Sequence, residues 1–195
     1  MIKDTIFNDL LVELKDKPNR LNHVLGVRDT AIEFGKKYNL DLEKLEIAAL
    51  LHDITKYYTL KQNKEIIDKH FEETERIYKY YNDKILHAFS AYVLAKEKYN
   101  IKSGEILNSI LNHTIGRPNM SMYEKVIFIS DYTEPNRTYE SCVKVRKIAI
   151  KNIDEAVFTA IDDSIKFYEA LGELIPLTAY EARYFYRKLL EVQHD

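Results

Sequence analysis

Apolar residues return at intervals of three and four along almost the whole chain, and alternating runs of strand length joined by hairpin dipeptides are missing. A stripe with that period is buried by helices, so the pattern predicts an all-α domain. Helix-start signals agree: Asp41 precedes LEKLEIAALL, while Thr59 with Gln62, Ser121 with Glu124 and Thr178 with Glu181 have capping-box spacing. Gly116 and Pro118 supply a left-handed end and a residue that cannot continue a helix, a firm stop after His113 and Thr114. The predicted helices are 4–15, 20–38, 41–53, 60–69, 83–99, 103–114, 121–132, 138–151, 154–171 and 177–191. A chain of 195 residues without repeat, low-complexity tract or linker is expected to form one domain over 1–195. A domain of that size buries roughly 70% of its unfolded surface.

Lys and Arg number 29 against 31 Asp and Glu, so no general polyanion-binding surface is expected and nucleic acid is not an expected partner. An anionic ligand would need local positive charge. The one cysteine, Cys142, leaves no internal disulfide and no thiolate cluster, which fits a reducing cytoplasm. Asp4, Asp9, Glu13 and Asp16 interrupt the apolar residues of the N-terminus, so neither a signal peptide nor a membrane span is expected there. The aromatic and basic segment YKYYNDK is read as a loop packed on the domain, and Asp162 with Asp163 as the exposed side of a helix.

The chemistry concentrates in AALLHDITKYY, residues 48–58, where an apolar run is interrupted by His52 and Asp53 and followed by Lys56. A buried carboxylate needs a cation or several donors, and an adjacent imidazole is a natural second ligand for a divalent metal. Neighbours on a helix point about 100° apart, so the two converge on an ion only near the helix end. The remaining ligands must come from other helices. Of six histidines, His70 and His194 sit in polar or terminal surroundings, whereas His23, His87 and His113 lie on or beside apolar faces. Asp131 follows the apolar run VIFIS and puts another carboxylate at the end of a buried stretch.

Histidine, then His-Asp, then two histidines, then a distant Asp resembles the HD-domain phosphohydrolase superfamily. LLHDITK, LLHAFSA and NHTIGRPNMSMYEKVIFISDYTEPNR together are similar to its YqeK family, the symmetrical bis(5'-nucleosyl)-tetraphosphatases, which split diadenosine tetraphosphate into two ADP. The likeness runs from about Arg20 to Arg137, and the helices of 138–195 are expected to complete an HD-domain helical bundle.

The resemblance implies metal ligands at His23, His52, Asp53 and Asp131, nucleotide contacts at Arg20, Asp53, Ile54, Thr55, Lys56, His87, His113 and Arg137, and iron as the cofactor. Nitrogen with oxygen ligands suits iron, manganese, cobalt or zinc, as one ion or two. Asp53, His87 and His113 are the expected catalytic residues, with His87 and His113 either meeting phosphate or ligating a second ion. Lys56, Arg20 and Arg137 supply the local positive charge. The expected partners are the nucleotide substrate and product, with no membrane, and a homodimer is common among such proteins. Alternatives on the same residues are another HD-type nucleotide phosphatase or phosphodiesterase, or a non-catalytic nucleotide sensor.

Overall fold

A computed structural model describes residues 2–81 and 83–193 and, among them, contains helices and no strand. In chain order these are α1 (Ile2–Glu13), α2 (Pro18–Lys37), α3 (Leu42–Leu51), α4 (Leu60–His70), α5 (Thr74–Tyr80), α6 (Asp83–Glu97), α7 (Gly104–Asn112), α8 (Met122–Thr133), α9 (Glu140–Ala149), α10 (Ile153–Ala170) and α11 (Leu177–Gln193). The all-α expectation holds, and the ends fall where local chemistry puts them. Asp41 accepts from the backbone N–H groups of Glu43 and Lys44, and Thr59 with Gln62 and Ser121 with Glu124 form complete capping boxes. Gly116 has φ of +74°, the left-handed turn that ends the α7 segment.

The apolar stripes meet in one core. α2 packs on α3 and α8, α7 on α6 and α8, and α10 on α8, α9 and α11. Val24, Val27 and Ala31 of α2, Leu45 and Ala49 of α3, and Val126, Ile127 and Ile129 of α8 are buried together with Val157 and Ala160 of α10. Burial of this order, roughly 25 cal/mol per Å² of apolar surface, is what opposes the chain's conformational entropy. The loop between α7 and α8 is fixed by Arg117, whose guanidinium grips buried Glu124 at 2.7 and 2.8 Å.

Three readings need correction. Residues 74–80 form a short helix rather than a loop; seven residues cannot show a 3.6-residue stripe, and Tyr78 anchors the turn by donating to Asp68 at 2.7 Å. Thr178 is not a cap, because α11 already starts at Leu177 after Pro176 and the Thr178 hydroxyl faces that of Tyr81 at 3.4 Å. Asp162 and Asp163 are half-buried, with Asp162 paired to Lys166 at 2.6 Å. Tyr81 packs edge-on against Phe89 with ring centres 5.0 Å apart, so this residue of the YKYYNDK segment packs on the domain, while Asn82 lies outside the described residues. No described helix is long and apolar enough to cross a membrane.

Candidate metal centre

Five elements deliver polar side chains to one buried place. α2 carries Arg20 and His23 three residues apart, one turn along the same face. His52 closes α3 as its C-terminal cap and Asp53 opens the following turn, so the adjacent pair converges at a helix end as its spacing requires. His87 comes from α6, His113 caps α7 and Asp131 lies in the last turn of α8. The four histidines and Asp53 are each less than 9% exposed, a placement that ionisable groups tolerate only with partners.

The distances define a tight cluster. His23 Nε2 lies 3.1 Å from Asp131 Oδ1 and 3.6 Å from Asp53 Oδ2, and His52 Nε2 is 3.5 Å from Asp53 Oδ2. His87 Nε2 is 2.9 Å from Asp53 Oδ1 and 3.1 Å from His113 Nε2. Potential ligand atoms of His23, His52 and Asp131 all fall within 4.8 Å of one another, as do those of His52, Asp53 and His113. All sequence-predicted ligands are therefore brought together.

The far side of each ring decides what its near side can do. His52, His87 and His113 direct Nδ1 at the carbonyl oxygens of Ala49, Lys84 and Ile110, each three residues back, at 2.6, 2.9 and 2.7 Å. A carbonyl only accepts, so Nδ1 carries a proton, and each ring has its Nε2 turned inward to serve as a ligand atom. His23 does the same through Glu134, whose Oε1 is 3.2 Å from its Nδ1. Four Nε2 atoms and two carboxylates thus face one another. The Nε2 atoms of His23 and His52 are buried and lack hydrogen-bond partners, although polar atoms in proteins rarely remain so. A divalent cation fits this donor set of imidazole nitrogen and carboxylate oxygen.

Ionisation follows the same geometry. Burial works against the Asp53 charge, but protons that the His52, His113 and His87 rings carry toward it outweigh burial and hold the carboxyl well below its usual range. Burial likewise opposes charge on Asp131, and the Arg137 guanidinium, 2.8 Å away, keeps this carboxyl ionised. Burial pushes His87 down to about 4 against the pull of Asp53, so the ring is neutral near pH 7.

Three cations surround the cluster. Arg20 Nη1 meets Asp53 Oδ2 at 2.7 Å, Arg137 holds Asp131, and Lys56 Nζ is 3.8 Å from Asp53 Oδ1. A cleft of about 880 Å³ opens from His113 and Asp131 past Lys56 and Arg137 to a wall made by α9, α10 and the segment before α11. That volume is in the range of small-molecule sites. Ile54 and Thr55 do not line this cleft: Ile54 is in the core, and the buried Thr55 hydroxyl donates to the His87 carbonyl at 2.8 Å. His70 is exposed, and His194 lies outside the described residues. Glu134 is the residue that sequence reasoning passed over. Its only signal was a carboxylate just past the buried run of α8, in the stretch DYTEPNR.

Helices that aim histidines and carboxylates at one point beside a cation-lined cleft define a metal-hydrolase architecture. The HD domain family model matches residues 20–136. The chain is 35% identical over 149 residues to a symmetrical bis(5'-nucleosyl)-tetraphosphatase of Halalkalibacterium halodurans, covering 76% of this chain and 79% of that protein. It is 34% identical, with the same coverage, to the enzyme of that name from Bacillus subtilis. A solved structure from Clostridium acetobutylicum, described as a "predicted HD superfamily hydrolase involved in NAD metabolism", superposes with a TM-score of 0.88 at 35% identity, covering 95% of this chain and 96% of that one. The chain belongs to the HD-domain family and, within it, to the family of the symmetrical bis(5'-nucleosyl)-tetraphosphatases.

Proposed function

We propose that this protein is a metal-dependent hydrolase that cuts diadenosine tetraphosphate at its central phosphoanhydride, giving two ADP. The observation that carries the reading is the set of inward Nε2 lone pairs and carboxylates, fixed by their outer hydrogen bonds and flanked by Arg20, Lys56 and Arg137. The names of the relatives supply the substrate and the position of the cut.

In this reading His23, His52, Asp53 and Asp131 hold the ion, which is iron by family likeness. A bound divalent cation lowers the pKa of water and polarises a phosphoryl oxygen. The protein's own groups do the rest. Asp53, ionised and in contact with Arg20 and His87, orients the attacking water toward one of the two inner phosphorus atoms, and the anhydride bond to the other breaks. Lys56 and Arg137 neutralise the polyphosphate in the cleft, and the planar guanidinium grips two phosphate oxygens at once. His113, which lines the cleft, and His87 beside it contact the phosphate that leaves as ADP. A second ion at His52, Asp53 and His113 is an additional reading favoured by the mutual reach of those ligand atoms. The whole of 1–195 works as one domain in the cytoplasm, with the helices beyond 137 forming the far wall of the cleft.

The test is to load the purified protein with iron(II) or manganese(II), add diadenosine tetraphosphate and resolve the products by chromatography. ADP alone is expected. AMP with ATP would reject the central cut, and tight binding without turnover would favour a sensor.

A further inference from the structure

We propose that Glu134 is a positioning residue for the metal centre, acting through His23 by fixing the tautomer of its ring. This rests on the metal reading above and deepens it. Glu134 is 2% exposed, and both of its carboxylate oxygens are committed. Oε1 lies 3.2 Å from His23 Nδ1, while Oε2 accepts from the Asn136 backbone N–H at 2.7 Å and from Asn136 Nδ2 at 2.9 Å. The backbone is anchored as well, since Arg146 donates to the Glu134 carbonyl at 2.9 Å. Space for the carboxylate exists because residue 26 is glycine: a Cβ there would stand 2.6 Å from Glu134 Oε2. Gly26 is one turn beyond His23 on α2, so the helix presents the ligand and leaves room for its support together.

The other three histidines of the cluster take their tautomer from a carbonyl three residues back on their own segment. His23 is the one that takes it from a distant side chain, 111 residues along the chain. A carboxylate can only accept, so Glu134 holds a proton on Nδ1, and an ion bound beside Asp131 and Asp53 would meet the Nε2 lone pair.

Glu134→Gln separates this role from packing. The Asn136 donors require the amide oxygen on their side, which turns the amide NH₂ toward His23 Nδ1. That nitrogen must then accept, and the ring proton moves to Nε2, where the ion belongs. The isosteric variant should keep the fold and the thermal midpoint of the metal-free protein, while losing iron(II) or manganese(II) affinity by roughly 10- to 100-fold in chelator competition. In ¹⁵N-histidine spectra of the metal-free protein, His23 Nδ1 should change from the protonated to the unprotonated pattern. Gly26→Ala, which displaces the carboxylate, should weaken metal binding similarly. Wild-type metal affinity in Glu134→Gln, or an unchanged His23 tautomer, would overturn the proposal. If the wild-type protein itself takes up no metal, the metal reading fails, and the tautomer spectra still decide the role of Glu134.

Discussion

The two parts of this bundle divide at about residue 137 and are built from different material. Every buried polar or charged residue among those described lies between His23 and Glu134, whereas the buried positions beyond are apolar, such as Val145, Ile153, Val157 and Ile165, or the fully buried Tyr186. α9 to α11 close one side of the cleft and finish the core, while α2, α3 and α6 to α8 carry the ionisable cluster. The contrast shows where each part spends its burial. The C-terminal helices gain stability from apolar contact, and the earlier ones hold lone pairs and charges in a dry interior, a costly arrangement useful only when a cation joins it.

That division should be visible in mutants. Asp53→Ala removes a carboxylate that touches His87, Arg20 and Lys56, and turnover should fall on the order of 10⁴-fold with loss of bound metal. Its far-ultraviolet circular dichroism should match the parent, and retained turnover would break the contrast from the functional side. Tyr186→Ala is the opposite case. It empties a fully buried site whose hydroxyl accepts from the Met120 N–H, and unfolding free energy should drop by about 3–5 kcal/mol in urea melts, with KM for the folded fraction little changed.

Acid should affect the early part selectively. Because His87 is held at about 4, below its unfolded value, the native state takes up its proton later than the unfolded chain. The stability this confers is complete above about pH 6.5 and disappears as pH falls toward 4, a loss on the order of 3 kcal/mol in the metal-free protein. Asp53, held low, stays ionised in that window and does not cancel the effect. Urea midpoints at pH 7 and 5 measure it, and His87→Gln should flatten the slope. The smallest effect belongs to Arg137→Lys, which keeps the charge but loses the planar guanidinium that reaches Asp131 and phosphate. A rise in KM of about tenfold with stability unchanged is expected; an unchanged KM would place Arg137 outside the substrate path.

Much of this was legible because the informative residues break a strong pattern. A His-Asp pair inside AALLHDITKYY and an Asp after VIFIS stand out against apolar neighbours, and caps at Asp41, Thr59 and Ser121 mark helix starts by local hydrogen bonding alone. α5 was hidden because its seven residues are too short to show a period, and the start of α11 because the helix begins at Leu177, directly after Pro176, before Thr178 can cap it. Glu134 was illegible for another reason. Its partner is on a different helix, and only the packing of α2 against α8 makes an ordinary carboxylate into a support for His23. Likewise, the buried part of Thr55, holding the His87 carbonyl, is a tertiary fact that no spacing announces.

The most direct check is anomalous diffraction from crystals of the iron- or manganese-loaded protein. A peak is expected among His23 Nε2, His52 Nε2, Asp53 and Asp131, in direct coordination contact with those ligand atoms. A fully loaded crystal with no peak there, or with the ion bound by other residues, would contradict it.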